Sequence, residues 1–275
     1  MKILVIGASS YIGARIYSDI KDKYEIVGTY AHHAISPKFI YLDITNYASV
    51  KDILVTQKPD IVIHLSNYSS SRFIAGNEEN FIRLNLEATK SLIKNVEDVG
   101  AKFIFFSSMA ATTKLDLYGE LKVQIEEIIS KLRTDHFVIR PSAVIGISPN
   151  HDNNKVTDKI ISVIRGGREE FDTSWTLQPT YIGHISQLID QIISKDIWNK
   201  TINLFTNHPI TQFQIAIDIL AHFSKTPTPI DKGLQIALAP DNTKELTDFS
   251  LIPSTYPDII ETIVEEIKHV DRYQL

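Results

Sequence analysis

Tyr118 and Lys122, in Tyr118-Gly119-Glu120-Leu121-Lys122, stand four positions apart and share one face if the segment is helical. A phenol is a poor acid–base group near neutral pH, but a neighbouring ammonium favours the phenolate and lowers its pKa. Ten positions before the tyrosine stands Ser108, the second residue of the Ser107-Ser108 pair that closes an apolar run. Brought together, Tyr118 would exchange a proton with a substrate oxygen while Ser108 hydrogen-bonds that oxygen. Taken alone, Tyr-x-x-x-Lys marks a solvated helix face with a packed ring; its place after Ser107-Ser108 is what favours chemistry.

A second cluster, Gly7-Ala8-Ser9-Ser10-Tyr11-Ile12-Gly13, follows the first apolar run directly. Glycine at 7 permits a tight turn, glycine at 13 permits close helix–sheet packing, and the helix that begins there offers unpaired N–H groups to a pyrophosphate. Gly7, Ser9, Ser10, Tyr11, Ile12 and Gly13 are therefore candidate dinucleotide contacts, a plain strand-to-helix turn being the alternative. Ser10 occupies a position that is often glycine, so its side chain either crowds the phosphate or donates a hydrogen bond to it. An acid about twenty positions on would accept the ribose hydroxyls of NAD. The corresponding stretch, Gly28-Thr29-Tyr30-Ala31-His32-His33, has none. Tyr30 and His32, with His33 and Lys38, are instead placed to approach a 2′-phosphate, which favours NADP over NAD; the alternative is a pair of histidines in an exposed loop. Asp43, followed by Ile44, is better placed for the adenine edge.

Positioning these residues requires strands and helices in alternation, and the apolar pattern supplies them. Short runs rich in Ile, Val and Phe at 2–6, 25–29, 39–41, 61–64, 102–106 and 136–139 predict strands buried on both faces. Segments 11–20, 47–56, 80–99 and 118–133 carry apolar residues at helical spacing. The result is an α/β chain with a doubly wound parallel sheet, whose ligand belongs beyond the carboxyl ends of the strands. After Pro141 a polar stretch at 148–155 and an amphipathic segment at 158–165, closed by Gly166-Gly167, begin a smaller lobe. A strand is predicted at 201–205 and helices at 211–222 and 257–270. The division expected is 1–146 for the dinucleotide, with 179–206 returning to it, and 147–178 with 207–275 for the substrate.

Composition narrows the function classes. The chain has 275 residues, 43% hydrophobic and 22% charged, which excludes collagen, coiled coil and disorder and permits one large core with a smaller lobe. No cysteine is present, so disulfides, thiolate nucleophiles and cysteine zinc sites are excluded. Twenty-eight basic against 33 acidic residues give −5 without a basic run, which argues against a nucleic-acid partner and for a small molecule. No run is long enough for a signal-peptide core or a membrane span, so a cytoplasmic protein without a membrane partner is expected. Asn67-Tyr68-Ser69 and Asn199-Lys200-Thr201 then read as chance glycosylation triplets. The nine histidines show no ligand spacing, and no metal site is expected.

In these motifs the chain resembles the extended short-chain dehydrogenase/reductases, over nearly its whole length. The glycine cluster, Ile63-His64-Leu65-Ser66, Ser107-Ser108, Tyr118 with Lys122, and Arg140-Pro141-Ser142-Ala143-Val144-Ile145-Gly146 occur in that family's order. Gln178-Pro179-Thr180-Tyr181-Ile182-Gly183-His184-Ile185, Thr201-Ile202-Asn203-Leu204 before Pro209-Ile210-Thr211, and the short C-terminal lobe are similar to the dTDP-4-dehydrorhamnose reductases within it. The resemblance implies a Rossmann-type fold and a catalytic triad of Ser108, Tyr118 and Lys122. It implies that Leu65, Ser66 and Asn67 line the cofactor, that Pro141, Ser142, Ala143 and Val144 lie against the nicotinamide, and that Asn85 sits in the helix behind the site. Hydride would pass from NADP, or NAD, to a keto carbon of a nucleotide-linked sugar, with Tyr118 as proton donor and Lys122 also on the nicotinamide ribose. A homodimer pairing through two helices fits the same resemblance.

Two other readings stay open: an epimerase or dehydratase using the same triad, and a non-catalytic cofactor-binding regulatory subunit. Met109 and Ala110 follow Ser108 where dehydratases commonly carry an acid, which argues against that variant. The short connection from Ser108 to Tyr118 leaves the sugar and the reaction direction open. Elsewhere plainer readings are preferred. His64 and His184 read as hydrogen-bonded structural residues, Arg165 and Arg168 as a solvated helix end, and Trp175 as packing. The stretch 188–193 reads as core or an oligomer face.

Overall fold

The computed structural model describes residues 1–69, 76–150, 155–234, 238–239 and 242–270. Within the polar stretch 148–155, residues 151–154 lie outside the described residues. The first half runs β1 (Lys2–Ile6), α1 (Tyr11–Ile20), β2 (Glu25–Tyr30), β3 (Ile40–Tyr41), α2 (Tyr47–Gln57) and β4 (Ile61–His64). Then come α3 (Glu78–Ile82), a π-helical turn (Arg83–Ala88), α4 (Thr89–Asp98), β5 (Lys102–Phe106), α5 (Ala110–Thr113), α6 (Leu117–Ile129) and β6 (His136–Pro141). The remainder contains β7 (Val144–Ile145), α7 (Val156–Ile164), β8 (Glu170–Asp172), β9 (Thr176–Leu177), β10 (Thr180–Tyr181), α8 (Ile182–Ser194) and β11 (Lys200–Leu204). It ends with β12 (Ile210–Thr211), α9 (Gln212–Leu220), β13 (Thr228–Ile230), α10 (Thr243–Leu246) and α11 (Tyr256–Lys268).

Seven strands form one parallel sheet in the order β11-β6-β5-β4-β1-β2-β3, the doubly wound α/β architecture of the Rossmann type. The period of two along each strand sends alternate residues to opposite faces. Ile3 and Val5 of β1 therefore join a core under α1, α8 and α11, whereas Leu4 and Ile6 join one under α2, α4 and α6. Burial on both faces is why these strands read as unbroken apolar runs. The chain reverses direction across the sheet between β1 and β4, so the crevice at their carboxyl ends is the switch point where such sheets take ligands.

Two elements differ from the sequence reading. The helix expected over 80–99 is interrupted by the π turn, which lets Asn85 reach back to the segment after β4. The strand expected at 39–41 is reduced to Ile40–Tyr41, because Phe39 turns inward onto Tyr17 at 4.8 Å between ring centroids. Residues 188–193 belong to α8, where Leu188, Ile189, Ile192 and Ile193 are buried in the core. No helix among the described residues is long and apolar enough to cross a membrane.

Candidate active site

At the end of β1 the chain turns at Gly7 with φ +88, a left-handed conformation that glycine adopts without strain. A Cβ there would meet Ser66 Oγ at 2.9 Å, so the turn lies directly against the end of β4. The Gly7 N–H is held by the Thr29 hydroxyl at 3.1 Å. Six residues on, a Cβ at Gly13 would lie 2.2 Å from the Gly7 carbonyl oxygen, which is how closely α1 packs on the turn. Ser10 caps that helix: its hydroxyl accepts the Gly13 N–H at 3.1 Å. The side chain thus accepts from the helix end, which leaves its own O–H as a donor. The Tyr11 and Ile12 N–H groups have no acceptor among the described residues, as the first turn of a helix leaves them. The Tyr11 side chain points the other way, with its buried hydroxyl donating to the Gly146 carbonyl, so only the backbone of Tyr11 faces the crevice.

The second cluster forms at the carboxyl end of β5. Asp116 caps α6 by accepting the Gly119 N–H at 2.8 Å, which sets Tyr118 and Lys122 on one face of the helix. Ser108 stands near enough to the Tyr118 phenol to pull its titration downward, its own hydroxyl accepting the Ala110 N–H at 3.2 Å, and the Lys122 Nζ lies 5.4 Å from the Tyr118 ring centroid. The nine-residue connection contains the single turn of α5, whose Ala110 carbonyl presses so close to Gly119 that a Cβ there would sit at 2.4 Å. Lys122 is fully buried and donates to the Phe106 carbonyl at 2.8 Å rather than to the phenol. Burial pushes its ammonium down to about 7, against the pull of Glu126. The phenol of Tyr118 moves opposite to the sequence expectation: burial pushes it up to about 12, with Ser108 pulling weakly the other way. The ammonium lies over the ring instead of at the hydroxyl, and so does not stabilise a phenolate in this arrangement.

The glycine turn and this trio stand at the carboxyl ends of strands of one sheet, and comparison with known proteins shows the family. The sequence matches the NAD dependent epimerase/dehydratase family over residues 3–209. The chain belongs to this family. It is thereby an extended short-chain dehydrogenase/reductase, an oxidoreductase class. It is 28% identical over 240 residues to GDP-6-deoxy-D-talose 4-dehydrogenase of Aggregatibacter actinomycetemcomitans, covering 78% of each chain. It is 22% identical over 216 residues to methionine adenosyltransferase 2 subunit beta of Xenopus tropicalis, using 73% of this chain and spanning 64% of that protein's length. Among solved structures, UDP-glucose 4-epimerase of Thermus thermophilus in complex with NAD superposes with TM-score 0.81 at 16% identity, over 98% of this chain and 99% of that one. The dTDP-4-dehydrorhamnose reductase of Bacillus anthracis str. Ames in complex with NADP gives 0.78 at 18%, over 96% and 98%.

The other residues singled out from the sequence fall around this family framework as follows. Ser9 lies half-buried in the turn, and the Ile12 side chain packs on the core. Leu65 is buried, its N–H on the Ile6 carbonyl at 2.9 Å, while Ser66 and Asn67 are half-buried at the crevice. Asn85 grips the backbone of Tyr68 at 2.8 and 3.0 Å, fixing the segment that carries Ser66 and Asn67. Tyr30 packs edge-on against Tyr41, and His32, His33 and Lys38 are exposed beyond it. One carboxylate oxygen of Asp43 is occupied by the N–H and hydroxyl of Thr45 at 2.9 and 2.8 Å, and Ile44 is buried behind it. Pro141 is buried, its carbonyl accepting Met109 N–H at 2.9 Å; Ser142 N–H donates to the Thr180 hydroxyl at 2.9 Å, and Ala143 and Val144 are half-buried beside them.

Of the residues read as structural, His64 bonds the Thr89 hydroxyl at 3.1 Å and His184 the Pro253 carbonyl at 2.7 Å. Arg165 and Arg168 are exposed or nearly so, and Trp175 packs half-buried against the core. Among the described residues no group of three or more His, Asp or Glu could hold a metal ion. Two glutamates were missed by sequence reasoning. Glu126 sits behind the trio, and Glu266 joins Arg15 of α1 to α11 at 2.8 Å. For Glu126 a signal existed, since it stands one helical turn beyond Lys122 and thus on its face.

Proposed function

We propose that this chain is an NAD(P)-dependent oxidoreductase that reduces a keto group of a nucleotide-linked sugar. The observation that carries the reading is the meeting of Ser108, Tyr118 and Lys122 at the end of β5, on the same sheet edge as the turn at Gly7. That turn, packed against Ser66, and the Tyr11 and Ile12 N–H groups at the start of α1 fit a pyrophosphate. When bound, the reduced nicotinamide supplies the hydride. The chain's own residues do the rest: Ser108 hydrogen-bonds the carbonyl oxygen, Tyr118 delivers the proton to it, and Lys122 holds the nicotinamide ribose. A phenol raised to about 12 is fully protonated at neutral pH, which suits a proton donor in the reducing direction. Exposed His32, His33 and Lys38 favour the 2′-phosphate of NADP, with NAD as the alternative.

In this reading residues 1–146 with 179–206 take the dinucleotide, and 147–178 with 207–275 take the sugar. The similarity to GDP-6-deoxy-D-talose 4-dehydrogenase supports chemistry on a nucleotide-linked sugar. A cytoplasmic homodimer belongs to the same reading. A second reading, a cofactor-binding regulatory subunit, is favoured by the similarity to methionine adenosyltransferase 2 subunit beta and by the single-turn connection at α5. An epimerase working through the same trio is the third.

Fluorescence titration with NADPH and NADH, with Gly7→Trp as control, tests the cofactor; a panel of nucleotide-linked keto-sugars then tests turnover. Tyr118→Phe should lower turnover by about 10²–10⁴ while cofactor binding is retained. No binding at millimolar cofactor would sink the oxidoreductase reading, and an activity indifferent to Tyr118→Phe would favour the regulatory one.

A further inference from the structure

The trio rests on a polar group buried directly behind it. Glu126 follows Lys122 by one helical turn, and its side chain is 10% exposed. The Ser107 hydroxyl donates to its Oε1, and Arg140 grips both oxygens, from Nε at 2.9 Å and from Nη2 at 2.5 Å. Ser107 and Arg140 flank the motifs read from the sequence, yet neither side chain turns toward a ligand. Both are spent on holding one carboxylate. A carboxylate so occupied is not presented to a substrate, but its charge still acts through space.

Lys122 is where that charge acts. Its Nζ touches one protein acceptor, the Phe106 carbonyl, and lies 4.5 Å from the Phe105 ring centroid. The titratable groups around it are Tyr118 and Glu126 on its own helix, His64 at the end of β4, and Arg140 on β6 beyond Glu126. Burial and the Lys122 charge hold His64 down to about 3, so it is neutral at working pH. Tyr118 is neutral too. Glu126 is therefore the nearby negative charge that opposes the desolvation of the ammonium.

We propose that Glu126 is a positioning residue for this site: fixed by Ser107 and Arg140, its carboxylate favours the ammonium form of Lys122 and helps seat it under the Phe106 carbonyl. The use of that charge, to hold the nicotinamide ribose, rests on the function proposed above. The charge itself does not. Arg140 has a double part in this arrangement, since it orients the carboxylate and also offsets some of its field. Removing the glutamate and removing the arginine must then move Lys122 in opposite directions, which a purely mechanical staple between α6 and β6 would not do.

The test is an NMR pH titration of ligand-free protein labelled at lysine ¹³Cε, with the Lys122 signal assigned by its loss in Lys122→Met. Glu126→Gln, which keeps the shape and the Oε1 acceptor but removes the charge and the bond to Arg140 Nη2, should lower the Lys122 midpoint by about one unit, a tenfold drop in ammonium population. Arg140→Met should raise it, and Glu126→Asp should bring it back toward the native value. An unmoved midpoint in Glu126→Gln, or a shift of the same sign in Glu126→Gln and Arg140→Met, overturns the proposal. NADPH titrations across the same pH range separate the two claims. Loss of affinity on the alkaline side that tracks the Lys122 midpoint in each variant supports both. A midpoint that moves while affinity does not would uphold the role of Glu126 and count against the cofactor role of Lys122.

Discussion

Glu126 and Glu266 are both helical glutamates buried beside an arginine, and they do different work. Glu126 is joined to residues 14 and 19 positions away, all at the carboxyl edge of β5 and β6. Glu266 is joined to Arg15, 251 positions away, at 2.8 Å, and accepts the Tyr181 hydroxyl at 2.7 Å. Arg15 in turn holds Asp19 and the Ile147 carbonyl, and the Ser148 hydroxyl donates to the Tyr11 carbonyl. One glutamate shapes the charge of a neighbouring ammonium; the other welds the helix behind the glycine turn to the last helix of the fold. For Arg15, burial works against the charge but Glu266 and Asp19 outweigh it, so its charge is permanent. The difference teaches that a buried ion pair serves tuning where a titratable neighbour stands beside it, and anchoring where it joins distant elements.

The largest effect that separates the two is expected from Arg15→Met. It leaves Glu266 buried and uncompensated, which costs about 3–5 kcal/mol in urea unfolding, and a second change, Glu266→Leu, should recover most of that loss. A double variant no better than the single one would show that Glu266 is not the group left stranded. Arg140→Met should cost less, about 1–3 kcal/mol, because Arg140 is 24% exposed and Glu126 keeps its Ser107 bond. Equal losses at the two arginines would erase the comparison.

Taken per pH unit, stability against pH gives the smallest effect and sharpens the contrast. His64 is depressed from 6.5 to about 3, so the unfolded chain takes up a proton the folded one refuses, and stability falls as pH drops from 6.5 toward 3. Lys122 is depressed from 10.5 to about 7, so stability rises as pH climbs from 7 toward 10.5. Each slope is about 1 kcal/mol per pH unit at most. Lys122→Met should flatten the alkaline rise and His64→Leu the acid fall, whereas Arg15→Met should lower the whole curve without changing either slope.

Much of the fold and part of the candidate site were legible because they depend on short-range pattern. The bounds of β1, β4 and β5 follow from apolar runs buried on both faces, and α1 from its glycines and periodicity. The position of Ser108, Tyr118 and Lys122 followed from order along the chain and helical spacing. What stayed hidden depends on side-chain direction or on distant partners. Ser10 could be seen as a departure from glycine, but whether its hydroxyl turned outward or onto Gly13 is a rotamer choice. Lys122 was close enough to Tyr118 to suggest a lowered phenol, yet the Phe106 carbonyl and the surrounding aromatic rings drew the ammonium under the ring. The π turn at Arg83–Ala88 leaves the apolar periodicity nearly intact and so leaves no trace in it. No spacing rule connects Arg15 to a glutamate in the last helix.

That last pairing has a consequence for how the protein is made. Synthesis proceeds at about 5–20 residues per second, so roughly 10–50 s separate the appearance of Arg15 from that of Glu266. During that interval Asp19, one helical turn away, is the acidic partner within reach of the guanidinium. The helix that carries Arg15 is made early and settled late, once the helix that neutralises its interior has followed it.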